Sequence, residues 1–128
     1  MVEVYIDAAS KGNPGPSGGG IVIKGGGKFE EYSLPLGNMG NHEAEFLVFT
    51  RALDICLQKG YRTVSFRTDS KLVHDSVEKQ YVKNSLFKPY LEKALDRIEK
   101  FDLFFIKWIP ESQNKHADRL AKDAIGNN

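Results

Sequence analysis

The sequence predicts a mixed α/β fold, with helices packed on a β-sheet. Three observations predict it. Apolar and polar residues alternate from the start of the chain, a glycine triplet separates two further β-like segments, and the remainder switches between helical and strand patterns. The resulting order is three β elements followed by α-β-α-α-β-α.

Val2, Val4 and Ile6 alternate with Glu3, Tyr5 and Asp7, which reads as a strand. Ala8 to Gly20 is rich in Gly, Pro, Ser and Asn and reads as a sharp turn. Ile21–Lys24 and Lys28–Leu34 form a hairpin closed by Gly25, Gly26 and Gly27, and Pro35–Asn41 a loop. Glu43–Lys59 reads as a helix stopped by Gly60. Val64–Thr68 is a short buried strand, parallel to the first after the crossover helix. Ser70 to about Lys79 is helical, Lys83–Phe87 a separate turn, and Pro89–Lys100 a second clear helix. Leu103–Ile109 is the last strand and Asn114–Ile125 the closing helix, with Gly126, Asn127 and Asn128 expected to fray.

The 128 residues fit one domain, 1–128, with no internal repeat and no linker. Eighteen Lys and Arg against seventeen Asp and Glu leave a formal charge of +1. Net charge therefore does not itself point to nucleic acid; such binding would need local charge placement or cations that offset phosphate. The single cysteine, Cys56, cannot form an internal disulfide and favours a reducing compartment, so a cytoplasmic location is expected. No basic leader precedes an apolar run at the N-terminus, and no segment is apolar for long enough to span a bilayer.

Four carboxylates stand out. Asp7 ends the first strand and Asp69 follows the fourth. If those strands are parallel neighbours, both lie at the carboxyl edge where ligands bind in open α/β sheets. Asp118, in the first turns of the last helix, approaches that edge if the last strand is also parallel. On a wheel of about 100° per residue, Glu43, Thr50, Arg51, Asp54 and Gln58 gather on one polar side, while Glu45 falls opposite, beside Phe49, Ala52 and Cys56. A carboxylate on an apolar face needs a basic partner, a raised pKa or a cation. Four hard oxygen donors suit Mg²⁺ or Mn²⁺, as two ions about 4 Å apart.

Each residue taken singly has an ordinary reading. Asp7 is then a turn former, Asp69 or Ser70 a helix cap, Asp118 a solvated helix charge, and Glu45 a charge at a helix N-terminus. Their joint placement at one edge is what opposes those readings.

The chain resembles ribonuclease HI across essentially its whole length. Asp7-Ala8-Ala9-Ser10-Lys11-Gly12-Asn13-Pro14-Gly15-Pro16 is close to that family's first motif. Asn41-His42-Glu43-Ala44-Glu45 resembles the second, Thr68-Asp69-Ser70 the third, and Asn114-Lys115-His116-Ala117-Asp118-Arg119-Leu120-Ala121 the fourth. Any one match carries little weight; four in order are specific. The resemblance implies the ribonuclease H fold, a five-stranded mixed sheet with helices on both faces. It also implies endonucleolytic cleavage of the RNA strand of RNA–DNA hybrids with Mg²⁺ or Mn²⁺, leaving 5′-phosphomonoesters. Asp7, Glu45, Asp69 and Asp118 take the catalytic metal-ligand roles. Ser10, Asn13, Asn41 and Lys71 are the expected substrate contacts. Small side chains let the Ser10–Gly20 backbone approach a sugar–phosphate chain. Asn13 suits a 2′-hydroxyl or minor-groove edge and Asn41 a phosphate, although ordinary loop and cap chemistry competes for both.

The match departs from the family in places. The usual glycine after the first aspartate is Ala8, Gly40-Asn41-His42 replaces a common Thr-Asn-Asn, and Lys71 stands where a glutamine is frequent. The Lys/Arg- and Trp-rich protrusion is replaced by Ser76–Lys100, which mixes Lys with Glu, and the histidine-bearing loop by Pro110–Gln113. The chain thus resembles the short form lacking both, with weaker hybrid binding and slower turnover expected. His42, His74 and His116 read as structural or solvated, with His116 pointing away from Asp118, His42 the closer in principle at three residues before Glu45, and Glu111 a weak candidate for the loop position.

Three functions compete: a monomeric ribonuclease H without an obligate protein partner, a weakly active or inactive hybrid- or RNA-binding domain on the same fold, and a different nuclease or structure-specific DNA enzyme on a related fold. The four intact carboxylates favour the first, and the neutral charge leaves room for the second. Asn13 and the Gly/Pro segment favour ribose sensing over a DNA-only site.

Overall fold

The computed structural model describes residues 1–126. Its elements, in order, are β1 (Val2–Ser10), β2 (Gly15–Gly25), β3 (Lys28–Met39), α1 (Asn41–Gln58), β4 (Thr63–Thr68), α2 (Lys71–Lys79), α3 (Lys88–Ile98), β5 (Leu103–Trp108) and α4 (Lys115–Gly126). Short 3₁₀ turns at Ser85–Phe87 and Glu111–Gln113 precede α3 and α4. The strands form one sheet in the order β3-β2-β1-β4-β5. β1–β2 and β2–β3 are antiparallel; β1–β4 and β4–β5 are parallel. The expected mixed five-stranded sheet is what forms.

Alternation drives the sheet. Val2, Val4 and Ile6 of β1 join Val64 and Phe66 of β4 in the core, where Phe46, Phe49, Ala52 and Leu53 of α1 meet them. α1 ends as its sequence anticipates, with Gly60 at φ +78° just beyond the C-cap. Helices occupy both faces of the sheet, and the central glycines show why. A Cβ at Gly19 would lie 2.7 Å from Val48 Cγ2 of α1, whereas at Gly18 and Gly20 it would meet the Ala121 and Ala117 carbonyls of α4 at 2.4 and 1.9 Å. Alternate residues of β2 thus face opposite helices.

This overturns the reading of Ala8–Gly20 as one sharp turn. β1 runs on to Ser10 and β2 begins at Gly15, leaving only Lys11–Pro14, with a cis Asn13–Pro14 bond, as the turn. Glycines 18–20 are clearance for two helices rather than breakers, a close-approach role that local composition does not distinguish from a loop. Pro35–Asn41 is not a loop either. β3 continues to Met39, and the pairing jumps from Pro35 to Gly37, leaving Leu36 out of the ladder. An edge strand with a bulge tolerates proline because one side needs no ladder donor. Thr50 is buried, not on a polar side; its Oγ1 donates to the Phe46 carbonyl at 3.1 Å. Gly126 closes α4 instead of fraying; Asn127 and Asn128 lie outside the described residues.

Candidate active site

Strand register brings the first two carboxylates together. Ile6 pairs with Thr68 at the carboxyl end of the parallel β1–β4 ladder, so Asp7 and Asp69 each follow the last paired residue at the same edge. Glu45 arrives from the first turns of α1 and Asp118 from α4, which lies across β1, β2 and β3. All four line one cleft of about 380 Å³, with Ala8, Asn41, His42 and Glu111.

The electrostatics follow from that crowding. Burial, then the Asp69 carboxylate, push the Asp7 carboxyl up to about 8, against a lowering by its bond from the Ala8 N–H at 2.9 Å. Burial also raises Asp69. The Asn114 amide opposes that rise, and the charges of Glu111 and Glu45 add to it. Lys122 on the next turn of α4 places Nζ 2.9 Å from Asp118 Oδ2 at the solvent side.

Local chemistry holds each group. Ser70 caps α2 by accepting from the Val73 N–H at 3.2 Å, and Thr68 Oγ1 accepts from the Ser70 N–H at 3.0 Å, which fixes the backbone around Asp69. Trp108 Nε1 donates to the Asp69 carbonyl at 3.2 Å. The buried Asn114 donates through Nδ2 to the Ile6 carbonyl at 2.8 Å and lies 3.5 Å from Asp69 Oδ2. Glu45 keeps the apolar company read from the helix wheel, since Phe49, Ala52 and Cys56 are fully buried beside its face.

The donor set fits a hard cation. It is all oxygen, and it gathers four carboxylates around Lys122 as the paired cation, with burial and then the Asp69 charge raising the Asp7 carboxyl. Among the described residues, no three such side chains close on one point as a ready-made cage. Asn114 Oδ1 is buried without a hydrogen-bond partner among the described residues.

The expected substrate contacts divide. Asn41 lines the carboxylate cleft. Asn13 lines an adjoining groove of about 310 Å³ with Pro14, Gly40, His42, Leu86 and Phe87. Its Oδ1 accepts from the Asn41 N–H at 3.0 Å, capping α1 from the β1–β2 turn. The loss of a threonine side chain at Gly40 is thereby accounted for: a Cβ there would sit 2.9 Å from Asn13 Oδ1. Ser10 is engaged with Ser17, Oγ to Oγ at 2.7 Å, and Lys71 is exposed at the start of α2; neither lines the carboxylate cleft. His116 pairs with Glu31, away from Asp118 as expected. His42 is more than half exposed, in keeping with the solvated reading, and it also borders the cleft and bonds Glu45 through Nδ1 at 2.9 Å. The i, i+3 spacing from Glu45 is the sequence signal of that contact. Asn114 had no comparable signal, because its partners are more than forty residues away in sequence.

Comparison with known proteins agrees with this architecture. Residues 6–124 match the family model described as "Reverse transcriptase-like". The chain is 46% identical over 127 residues to the putative hydrolase EbsB of Enterococcus faecalis, covering 98% of this chain and 94% of that one. It superimposes on the crystal structure of RNase H1 from Halobacterium salinarum with a TM-score of 0.93 at 30% identity, covering 99% and 98% of the two chains. It spans 64% of the full-length Halobacterium ribonuclease HI. LC11-RNase H1, isolated from compost and solved in complex with RNA/DNA hybrid, matches with a TM-score of 0.90 at 30% identity, covering 99% and 98%. The chain belongs to the ribonuclease H family.

Proposed function

We propose that this protein hydrolyses the RNA strand of RNA–DNA hybrids endonucleolytically, leaving 5′-phosphate and 3′-hydroxyl ends. Asp7, Glu45, Asp69 and Asp118 would hold two Mg²⁺ or Mn²⁺ ions. The observation that carries the reading is the register of Asp7 with Asp69 at one sheet edge, with Glu45 and Asp118 lining the same cleft. The chemistry such ions supply when bound is activation of the attacking water and relief of charge on the scissile phosphate and the departing 3′ oxygen. Asp69, steadied through Asn114 and Trp108, and Asp7, on a rigid central strand, set where that charge is met. Asn41 and Asn13 would border the path of the strands, and Asn13, whose Oδ1 is used by the Asn41 N–H, has no bond from Nδ2 among the described residues and would offer that donor to a ribose or base edge. Support for the hybrid as substrate comes from the LC11 relative, crystallised with one. Ser10 and Lys71 remain candidates for contacts outside the cleft. The reading extends to a cytoplasmic location, with which the buried free thiol of Cys56 is consistent, and to a monomer acting as a single domain without an obligate protein partner.

Incubation with labelled RNA–DNA hybrid, dsRNA and dsDNA in Mg²⁺ or Mn²⁺ tests this, with Asp69→Asn alongside. Cleavage confined to the RNA of the hybrid, and absent in the variant, is expected. Binding without cleavage, or cleavage of dsDNA, overturns it.

A further inference from the structure

Glu45 is gripped on one oxygen only. His42 Nδ1 lies 2.9 Å from Glu45 Oε1, and Ser70 Oγ donates to that same oxygen from 3.0 Å. An ionised carboxylate can only accept, so the hydrogen of the first bond sits on Nδ1. The two donors come from different elements, the first turn of α1 and the cap of α2. Oε2 has no hydrogen-bond partner among the described residues. The imidazole is itself seated on the core: its ring meets Phe87 edge-on at 5.9 Å, and Phe87 stacks on the buried Phe46 at 5.7 Å. The Cβ–Cγ–Nδ path of histidine therefore starts from a braced ring and ends on the carboxylate.

We infer that His42 is a positioning residue of the cation site: with Ser70 it fixes Oε1 of Glu45 and so presents Oε2 to the ion. This rests on the proposed reading of Glu45 as a cation ligand. A carboxylate left to rotate must be ordered when the ion binds, and a charge-assisted hydrogen bond made beforehand removes part of that cost. Asparagine reaches through the same sequence of atoms, Cβ–Cγ–Nδ2, and places an N–H donor at the position of histidine Nδ1. Alanine has no donor, and phenylalanine keeps the edge contact with Phe87 but has no donor either.

The test is Mn²⁺ titration calorimetry on the full chain for wild type, H42N, H42A, H42F and E45Q, paired with the Mn²⁺ dependence of hybrid cleavage. H42N should bind Mn²⁺ within about twofold of wild type, while H42A and H42F bind about three- to tenfold more weakly, the scale of one such bond. Cleavage by H42A should recover at saturating Mn²⁺, so the loss falls on the metal's apparent affinity and not on kcat. Metal-free unfolding should stay close to wild type, because His42 is more than half exposed. Wild-type affinity in H42A alongside weakened binding in E45Q overturns the role of His42 and leaves the cation site standing. An H42N as weak as H42A overturns the donor argument. Unchanged affinity in both H42A and E45Q removes the cation site, and this inference with it.

Discussion

Asn114 joins the two strands that carry the central carboxylates: its Nδ2 donates to the Ile6 carbonyl at 2.8 Å and sits 3.5 Å from Asp69 Oδ2. One buried amide, just before α4, thus sets the carboxyl ends of β1 and β4 relative to each other. Asn114→Ala leaves a buried carbonyl unpaired and should cost about 1–3 kcal/mol. Activity should fall further than stability accounts for, by at least about tenfold at a temperature where the variant is folded. Thermal unfolding and cleavage kinetics measured side by side check this; a rate loss that vanishes once the folded fraction is matched would show a purely structural role.

Asp7 ties stability to pH. Its carboxyl rises from an ordinary 3.8 to about 8 in the folded, cation-free protein. The folded state therefore holds that proton more tightly than the unfolded chain. The stability this lends is complete below about pH 4 and is lost as pH climbs toward 8. Asp7→Asn, neutral throughout, should be more stable than wild type by about 1–2 kcal/mol at pH 8 once screening is allowed for, and should gain little near pH 4. It should also be inactive. Melting temperatures across pH 4–8 in the absence of divalent ions test it, and parallel curves for the two proteins would contradict it.

Gly20 sets how closely α4 lies on the sheet. An added Cβ would stand 1.9 Å from the Ala117 carbonyl and 2.8 Å from the Ala121 amide, both backbone atoms that cannot swing aside. Gly20→Ala must lift α4, which carries Asp118 one residue after Ala117. A loss of about 3 kcal/mol is expected, together with weaker Mn²⁺ binding. Chemical denaturation reports the first and calorimetry the second.

Asn13 and Gly40 form a coupled pair. Gly40→Thr pushes a Cβ to within 2.9 Å of Asn13 Oδ1 and displaces it from the Asn41 N–H. Asn13→Ala removes the same bond directly. Each should cost about 1 kcal/mol, as for other helix N-terminal caps, and the double variant should cost much less than their sum. Full additivity in a double-mutant cycle would mean that the two residues act separately.

Much of this protein is legible along the chain. Alternation in Val2, Val4 and Ile6 announces β1, the Gly25–Gly27 triplet the hairpin, and Gly60 the end of α1, because these are local preferences of backbone and solvent. The helix wheel sets Glu45 among buried residues without any coordinates. What the chain alone leaves undecided is everything that depends on a distant neighbour. Glycines 18–20 read as a turn until α1 and α4 are seen pressing on opposite faces of one strand. Asn114 reads only as the start of the closing helix until Ile6 and Asp69 are found beside it, and nothing local to His42 shows that its ring meets Phe87. Local sequence records periodicity and backbone preference. The meeting of Asp7 with Asp69 depends on the strand order β1–β4, and that order is settled by the long-range packing of helices on a sheet.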